Sequence, residues 1–308
     1  MKIRLSVWLA LAGLFASAPA GFGQAQSRLT NLSCRGFVGT GQQVLVAGFV
    51  LKGTGPHTLL IRGIGPGLTA FKVGSVIPDP ILTLFDNAGH VIGQNDDWDG
   101  SAATQQTFNQ VGAFPLALGS KDAVIVMSLQ PGLYTAQMSP SPNSLATGTG
   151  LIEVYDVTAS TTGQITAELI NMSARVYVPT GQSATVGVST AGVGMEQLLF
   201  RASGPELADF DVSPVSLSTP ITLYDHLANP LATNSGWCNQ STDSPGQAAF
   251  DDLFNQVGAF AFQPGSGSSA ISYTANTASP TSWTAIAVNA ASSSGASGGV
   301  MILEIYKR

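Results

Sequence analysis

Charge is scarce in this chain, cationic charge most of all: 12 of its 308 residues are Lys or Arg, against 18 acidic ones, for a formal net charge of −6. No segment gathers Lys and Arg into a cluster. Nucleic acid is therefore excluded as a partner, because phosphate binding needs a concentrated basic surface, and docking on anionic lipid fails on the same ground. Long apolar runs are missing too. The longest, Leu5 to Phe15, is too short to anchor a chain in a bilayer, so no transmembrane segment is expected in the mature protein. Histidine occurs three times, at His57, His90 and His226, each beside turn residues and none duplicated. No Gly-x-Ser-x-Gly elbow accompanies them, and exposed loop histidines are the expectation. Cysteine occurs twice, at Cys34 and Cys238.

The N-terminus explains part of this pattern. Met1-Lys2-Ile3-Arg4, the apolar run and the small residues through Ala25 read as a secretory signal peptide over 1–25, cleaved after Ala25. Its removal takes Lys2 and Arg4 away and leaves a soluble, acidic, exported chain, secreted or held at the cell surface. An oxidising compartment permits a Cys34–Cys238 disulfide, provided that the two halves of the chain touch.

What is abundant is Gly, Ser, Thr, Ala and Val, and it is arranged twice. Leu29-Thr30-Asn31-Leu32-Ser33 matches Leu169-Ile170-Asn171-Met172-Ser173. Leu59-Leu60-Ile61-Arg62 matches Leu198-Leu199-Phe200-Arg201, each followed after two intervening residues by Gly-Pro, and Thr83-Leu84-Phe85-Asp86 matches Thr222-Leu223-Tyr224-Asp225. Phe-Asn-Gln-Val-Gly-Ala-Phe occurs unchanged from Phe108 to Phe114 and from Phe254 to Phe260. Matches in the same order, with drift confined to the segments between them, mark a duplicated domain. Each copy reads as about eight short strands, in the first near 29–38, 43–51, 58–63, 81–86, 90–94, 122–129, 132–139 and 149–156, bounded by Gly, Pro, Asn and Asp turns. The fold class is all-β: two tandem jelly-roll-like β-sandwich domains, 26–157 and 168–308, joined by a polar linker at 158–167, each domain with one short helix.

That helix accounts for the repeated string. Phe250, Leu253, Phe254 and Val257 recur at helical spacing, as do Thr104, Thr107, Phe108 and Val111. Ser101 and Ser244-Pro245 are start signals, and Gly112 and Gly258 stand where a left-handed cap needs glycine. Phe114 and Phe260 re-enter the core beyond it, so the helix plugs each sandwich. Arg62 and Arg201 end an apolar strand and need a carboxylate; Asp86/Asp225 and Glu153/Glu304 are the duplicated choices for a structural pair.

Features of one copy alone are the functional candidates. Gln94-Asn95-Asp96-Asp97-Trp98-Asp99 gathers three carboxylates that could ligate Ca²⁺ in the first repeat. Its counterpart, Thr233-Asn234-Ser235-Gly236-Trp237-Cys238, has lost the acids. Trp98 is the candidate for a sugar-stacking surface, set against the heavier expectation that both Trp residues are buried at the sandwich edge.

The run from Leu82 to Asp97, ending in Asn95-Asp96-Asp97, and the later Gln130-Pro131-Gly132-Leu133-Tyr134-Thr135-Ala136-Gln137 resemble the bacterial pre-peptidase C-terminal domain. The whole unit, with Arg-x-x-Gly-Pro-x-Leu and the repeated seven residues, is similar to tandem repeats of large exported bacterial proteins. That resemblance implies a non-catalytic jelly-roll accessory module, sometimes calcium-binding, with Asp96 and Asp97 as ligands; Asp99 joins them by proximity. The second repeat departs from it at Asn234-Ser235-Gly236 and Pro280-Thr281-Ser282-Trp283. The leading functional expectation is a secreted, non-enzymatic adhesion or binding protein for a glycan or another surface polymer. The alternatives are a hydrolase or glycan lyase using the Asp96–Asp99 carboxylates and a structural envelope component.

Overall fold

The computed structural model describes residues 27–158, 167–238, 246–277 and 281–308. The expected signal peptide, all but the ends of the expected linker, Ser244-Pro245 and Pro280 lie outside the described residues. In the first repeat the strands are β1 (Arg28–Val38), β2 (Leu45–Gly53), β3 (His57–Ile64), β4 (Pro80–Phe85), β5 (Val91–Asn95), β6 (Ala123–Leu129), β7 (Gly132–Pro140) and β8 (Gly148–Asp156). Their counterparts are β9 (Ala167–Pro179), β10 (Ser183–Ala191), β11 (Met195–Ser203), β13 (Ile221–Asp225), β14 (Pro230–Asn234), β15 (Ser269–Asn276), β16 (Thr281–Val288) and β18 (Gly298–Lys307); β12 (Ser216–Ser218) and β17 (Ala291–Ser292) form a small extra ribbon. Period-two alternation makes them strands. In β9 every second side chain from Met172 to Val178 is buried, and the residues between are half-exposed. No helix among the described residues is long and apolar enough to cross a membrane.

The protein is an all-β sandwich with jelly-roll strand order in each repeat: β6-β3-β8-β1 lies over β5-β4-β7-β2, and β15-β11-β18-β9 over β14-β13-β16-β10. The two repeats are not separate sandwiches, which corrects the picture of tandem domains on a linker. β1 pairs antiparallel with β10 of the other repeat, and β9 pairs likewise with β2. Two continuous sheets result, each half from one repeat and half from the other, and a single core between them holds Leu32, Phe49, Met172, Val186 and Leu303 together. The physical reason lies at the strand edges. An isolated jelly roll would leave β1 and β2 with unpaired N–H and C=O rows, and the exchange pairs all four such edges.

The seam is nearly symmetric. β1 and β9 bridge in parallel at Leu29↔Leu169 and Phe37↔Tyr177, equivalent residues in the two repeats, so a pseudo-twofold axis runs between these strands and along them. Position 36 meets its own equivalent there. A Cβ added to Gly36 would stand 2.3 Å from Val176 Cγ2, so the crossing has room for one side chain and not two. Fully burying a side chain of that size is worth about 1.5–3 kcal/mol, and only one repeat can supply it.

Helices α1 (Ala102–Val111) and α2 (Gln247–Val257) end at Gly112 (φ 70°) and Gly258 (φ 72°), each capped by the left-handed glycine. Ser101 Oγ accepts from Thr104 N at the start of α1, whereas α2 starts at Gly246 with no side-chain cap. The helices do not plug the sandwich between its sheets. They cover the outer faces, because Leu60 and Arg62 on β3, and Leu199 and Arg201 on β11, point away from the shared core into clusters built on Phe108 and Phe254.

Candidate functional site

Beneath each helix lies a buried arginine. Arg62 Nε and Nη2 donate to Glu153 Oε2 at 2.9 and 2.5 Å, and its Nη1 donates to the Phe114 carbonyl at 2.6 Å. The guanidinium sits 4.2 Å from the Phe114 ring centre and 5.1 Å from that of Phe108. In the other repeat Arg201 Nη1 lies 3.0 Å from Glu304 Oε2, Nη2 donates to the Phe260 carbonyl at 2.6 Å, and Phe254, Phe260 and Phe262 surround the charge. Of the duplicated carboxylates, Glu153 and Glu304 are therefore the partners. Tyr155 and Tyr306 donate to these same carboxylates, and burial together with the adjacent negative charge raises both phenols well above the ordinary tyrosine range. Asp86 and Asp225 instead close hairpins. Asp86 Oδ1 accepts from Ala88 N and His90 N, and Asp225 Oδ1 from Leu227 N and Asn229 N. Hydrogen bonds from His90 and Asn229 respectively hold the two carboxyls below their usual pKa.

The acidic loop does gather carboxylates, though a different trio. Asp96 and Asp97 converge with Asp79, which sequence reasoning missed because it lies on the far side of β4, and their oxygens come within 4.8 Å of one another. Partial burial and the repulsion of Asp79 and Asp97 raise the Asp96 pKa. Asp97 already accepts from Lys121 Nζ at 2.6 Å. Asp99 is not part of the group: it accepts from Ser101 N and Thr104 Oγ1 and orders the start of α1.

The heavier expectation for the tryptophans, burial, is the one found, while the disulfide and the exposed His57 are corrected. Trp98 is 4 % exposed, packs on Phe108 and donates to the Ala117 carbonyl, as Trp237 does to Gln263, so neither indole is a platform for a ligand. Both cysteines are free. Cys34 is buried in the shared core between the sheets, where desolvation pushes its thiol up to about 12, while Cys238 packs on the outer cluster of Trp237 and Phe250. His57 is completely buried and bridges the repeats: Nδ1 lies 3.2 Å from Asp156 Oδ1, and Nε2 accepts from Ala167 N at the head of β9. His90 and His226 are exposed.

Open surface occurs where the repeats meet. On the outer face of the second sheet a groove of about 740 Å³ runs between the end of α2 and the β2–β9 seam, with Lys52, Asn171, Ser173, Phe260 and Arg308 among its walls. It adjoins a second of about 590 Å³ bordered by Asn87, Tyr134, Thr135 and Gln137, the two sharing Val50, Leu133, Asn171 and Ser173. The pseudo-twofold axis places a smaller groove of about 370 Å³ on the opposite face, between Phe71 and Phe114 on one side and Ser33, Thr185 and Thr284 on the other. No signal in a single repeat could reveal these grooves, because each takes its walls from both. The chain matches no protein-family model and no curated protein.

Proposed function

We propose that this protein is an exported, non-catalytic module that binds a polysaccharide or similar surface polymer along the seam of its two repeats. The observation that carries the reading is the continuous trough on the outer face of β9, β2 and β7. It joins two grooves through shared walls and carries hydrogen-bonding side chains, Asn171, Ser173, Thr135 and Gln137, with Tyr134 and Phe260 beside them and Lys52, Asp86, Glu304, Lys307 and Arg308 also lining it. Such a surface suits an extended chain of hydroxyl-rich units, because ring faces pack on aromatics while hydroxyls exchange water for side-chain amides and hydroxyls. Resemblance of residues 82–97 and 130–137 to the pre-peptidase C-terminal domain supports an accessory role, and the signal-like N-terminus supports export. Calcium enters this reading as a structural ion at Asp79, Asp96 and Asp97 in the first repeat, away from the trough.

The test is a panel of immobilised and soluble polysaccharides. Retention without release of reducing ends or unsaturated products is the expected result. Release of product from any of them would establish the hydrolase or lyase alternative, and concentration-dependent self-association without retention would establish the envelope-component alternative.

A further inference from the structure

Two of the largest exposed apolar side chains occupy equivalent positions. Phe71, 58 % exposed, ends the 3-10 turn Pro66–Phe71, and Phe210, 63 % exposed, ends the turn Pro205–Phe210. Each is followed by a residue in the left-handed region, Lys72 (φ 61°) and Asp211 (φ 60°), which turns the chain back and leaves the ring outermost. Neither ring contributes to the core. Both turns are clamped from below by a buried carboxylate. Asp122 accepts from Gly65 N and Gly67 N, and Glu206 accepts from Ser203, Ser268 and Gln263 N. Phe71 stands edge-to-face on Phe114 at 4.8 Å, and Phe210 on Phe260 at 6.1 Å. Those second rings are the ones pinned by Arg62 and Arg201. Each repeat therefore presents a rigid aromatic corner beside a seam groove, its position set by buried ionic groups before any ligand arrives.

Orientation adds the decisive point. Arg62 and its cluster cover the outer face of the first sheet, Arg201 and its cluster that of the second, and the shared core lies between. The two corners therefore face in opposite directions. From this geometry we infer that the protein is a bivalent cross-linker, holding one polysaccharide chain at Phe71 and Phe114 and another at Phe210 and Phe260. The inference rests on the polysaccharide reading above. It adds that the sites number two, that each depends on an exposed phenylalanine, and that they bridge chains rather than grip one. Hydroxyls of Ser33, Thr185 and Thr284 beside the first corner, and Asn171 and Ser173 in the groove below the second, supply the polar half of recognition.

The experiment uses hydroxyethyl cellulose as a neutral probe and alginate as an acidic one, with Phe71→Ala, Phe210→Ala and the double variant, their folding checked by thermal melts. Retardation in polymer-containing native gels reads binding, and turbidity of protein–polymer mixtures reads bridging. The wild-type protein should be retarded and should raise turbidity with at least one polymer. Each single variant should remain retarded but produce no turbidity. The double variant should bind about tenfold or more weakly, on the order expected for losing aromatic contacts. Turbidity that survives in both single variants overturns the bridging, as does retardation of the wild type with no turbidity. Retardation unchanged in the double variant overturns the phenylalanine sites and leaves the polysaccharide reading standing. No retardation of the wild type by either polymer overturns both.

Discussion

Arg62 and Phe114 are joined twice, by a 2.6 Å hydrogen bond from Nη1 to the Phe114 carbonyl and by the guanidinium over the Phe114 ring at 4.2 Å. The last residue of the repeated seven is thus fastened at its backbone and its side chain to one buried cation. Arg201 repeats the arrangement with Phe260. Recurrence of both rings and the glycine cap in the two copies follows, since each helix end must fit around the same charge.

Replacing Arg62 by Met should therefore destabilise the fold strongly, by about 3–5 kcal/mol, because Glu153 is left buried without its cation. Pairing Arg62→Met with Glu153→Gln should recover part of the loss. Urea unfolding of the three variants measures both, and a single variant as stable as the wild type would show that the pair is dispensable.

Gly36→Val should cost about 1–3 kcal/mol, because the added side chain runs into Val176 at the pseudo-twofold crossing. The exchange Gly36→Val with Val176→Gly should be closer to wild type than Gly36→Val alone. Thermal melts decide it; an additive pair would argue that the two positions do not share one space.

The Asp86 and Asp225 carboxyls are held below their usual pKa by the hairpins that they close. Their contribution is present above the unfolded-state value, about 3.9, and disappears as pH falls through the lower folded values. Stability should therefore fall on acidification below about pH 4, and Asp86→Asn with Asp225→Asn should flatten that limb. A series of melting temperatures against pH, wild type beside the double variant, measures the difference.

Cys34 should resist maleimide at pH 8 in the folded protein and react once denatured, because its thiol is buried and titrates near 12. Non-reducing and reducing gels should show no mobility difference. A disulfide between Cys34 and Cys238 in the purified protein would contradict the placement of the two thiols in different clusters.

Calcium should raise the melting temperature at concentrations of about 0.1–1 mM, the range of extracellular sites with few charged ligands. Asp79→Asn should abolish the effect and Asp99→Asn should leave it intact. Because the Asp96 carboxyl titrates above its usual value and a bound cation needs it ionised, the effect should weaken as pH falls. Equal responses in the two variants would exclude the trio as the site.

Local features were legible in the sequence because they depend on near neighbours. Strand positions follow from period-two burial, the helices from i, i+3, i+4 spacing, the caps from Gly112 and Gly258, and the hairpin from Asp86 to His90 from its turn chemistry. Duplication was legible as well, and with it the need of Arg62 and Arg201 for a carboxylate. The choice of Glu153 over Asp86 was not, since both are duplicated and only the pairing of β3 with β8 brings one of them opposite Arg62.

Everything at the seam belongs to the tertiary structure. Sequence alone determined two copies of an eight-stranded unit; it carried no sign that β1 would seek β10 and β9 would seek β2, because backbone edges look alike in any residue string. Covering those edges merged the cores, brought His57 to Ala167, put Gly36 against Val176 and made the grooves beside Phe114 and Phe260. Long-range pairing decided the surface on which the proposed function rests, since hydrogen-bonding edges are satisfied by whichever strand the whole chain delivers to them.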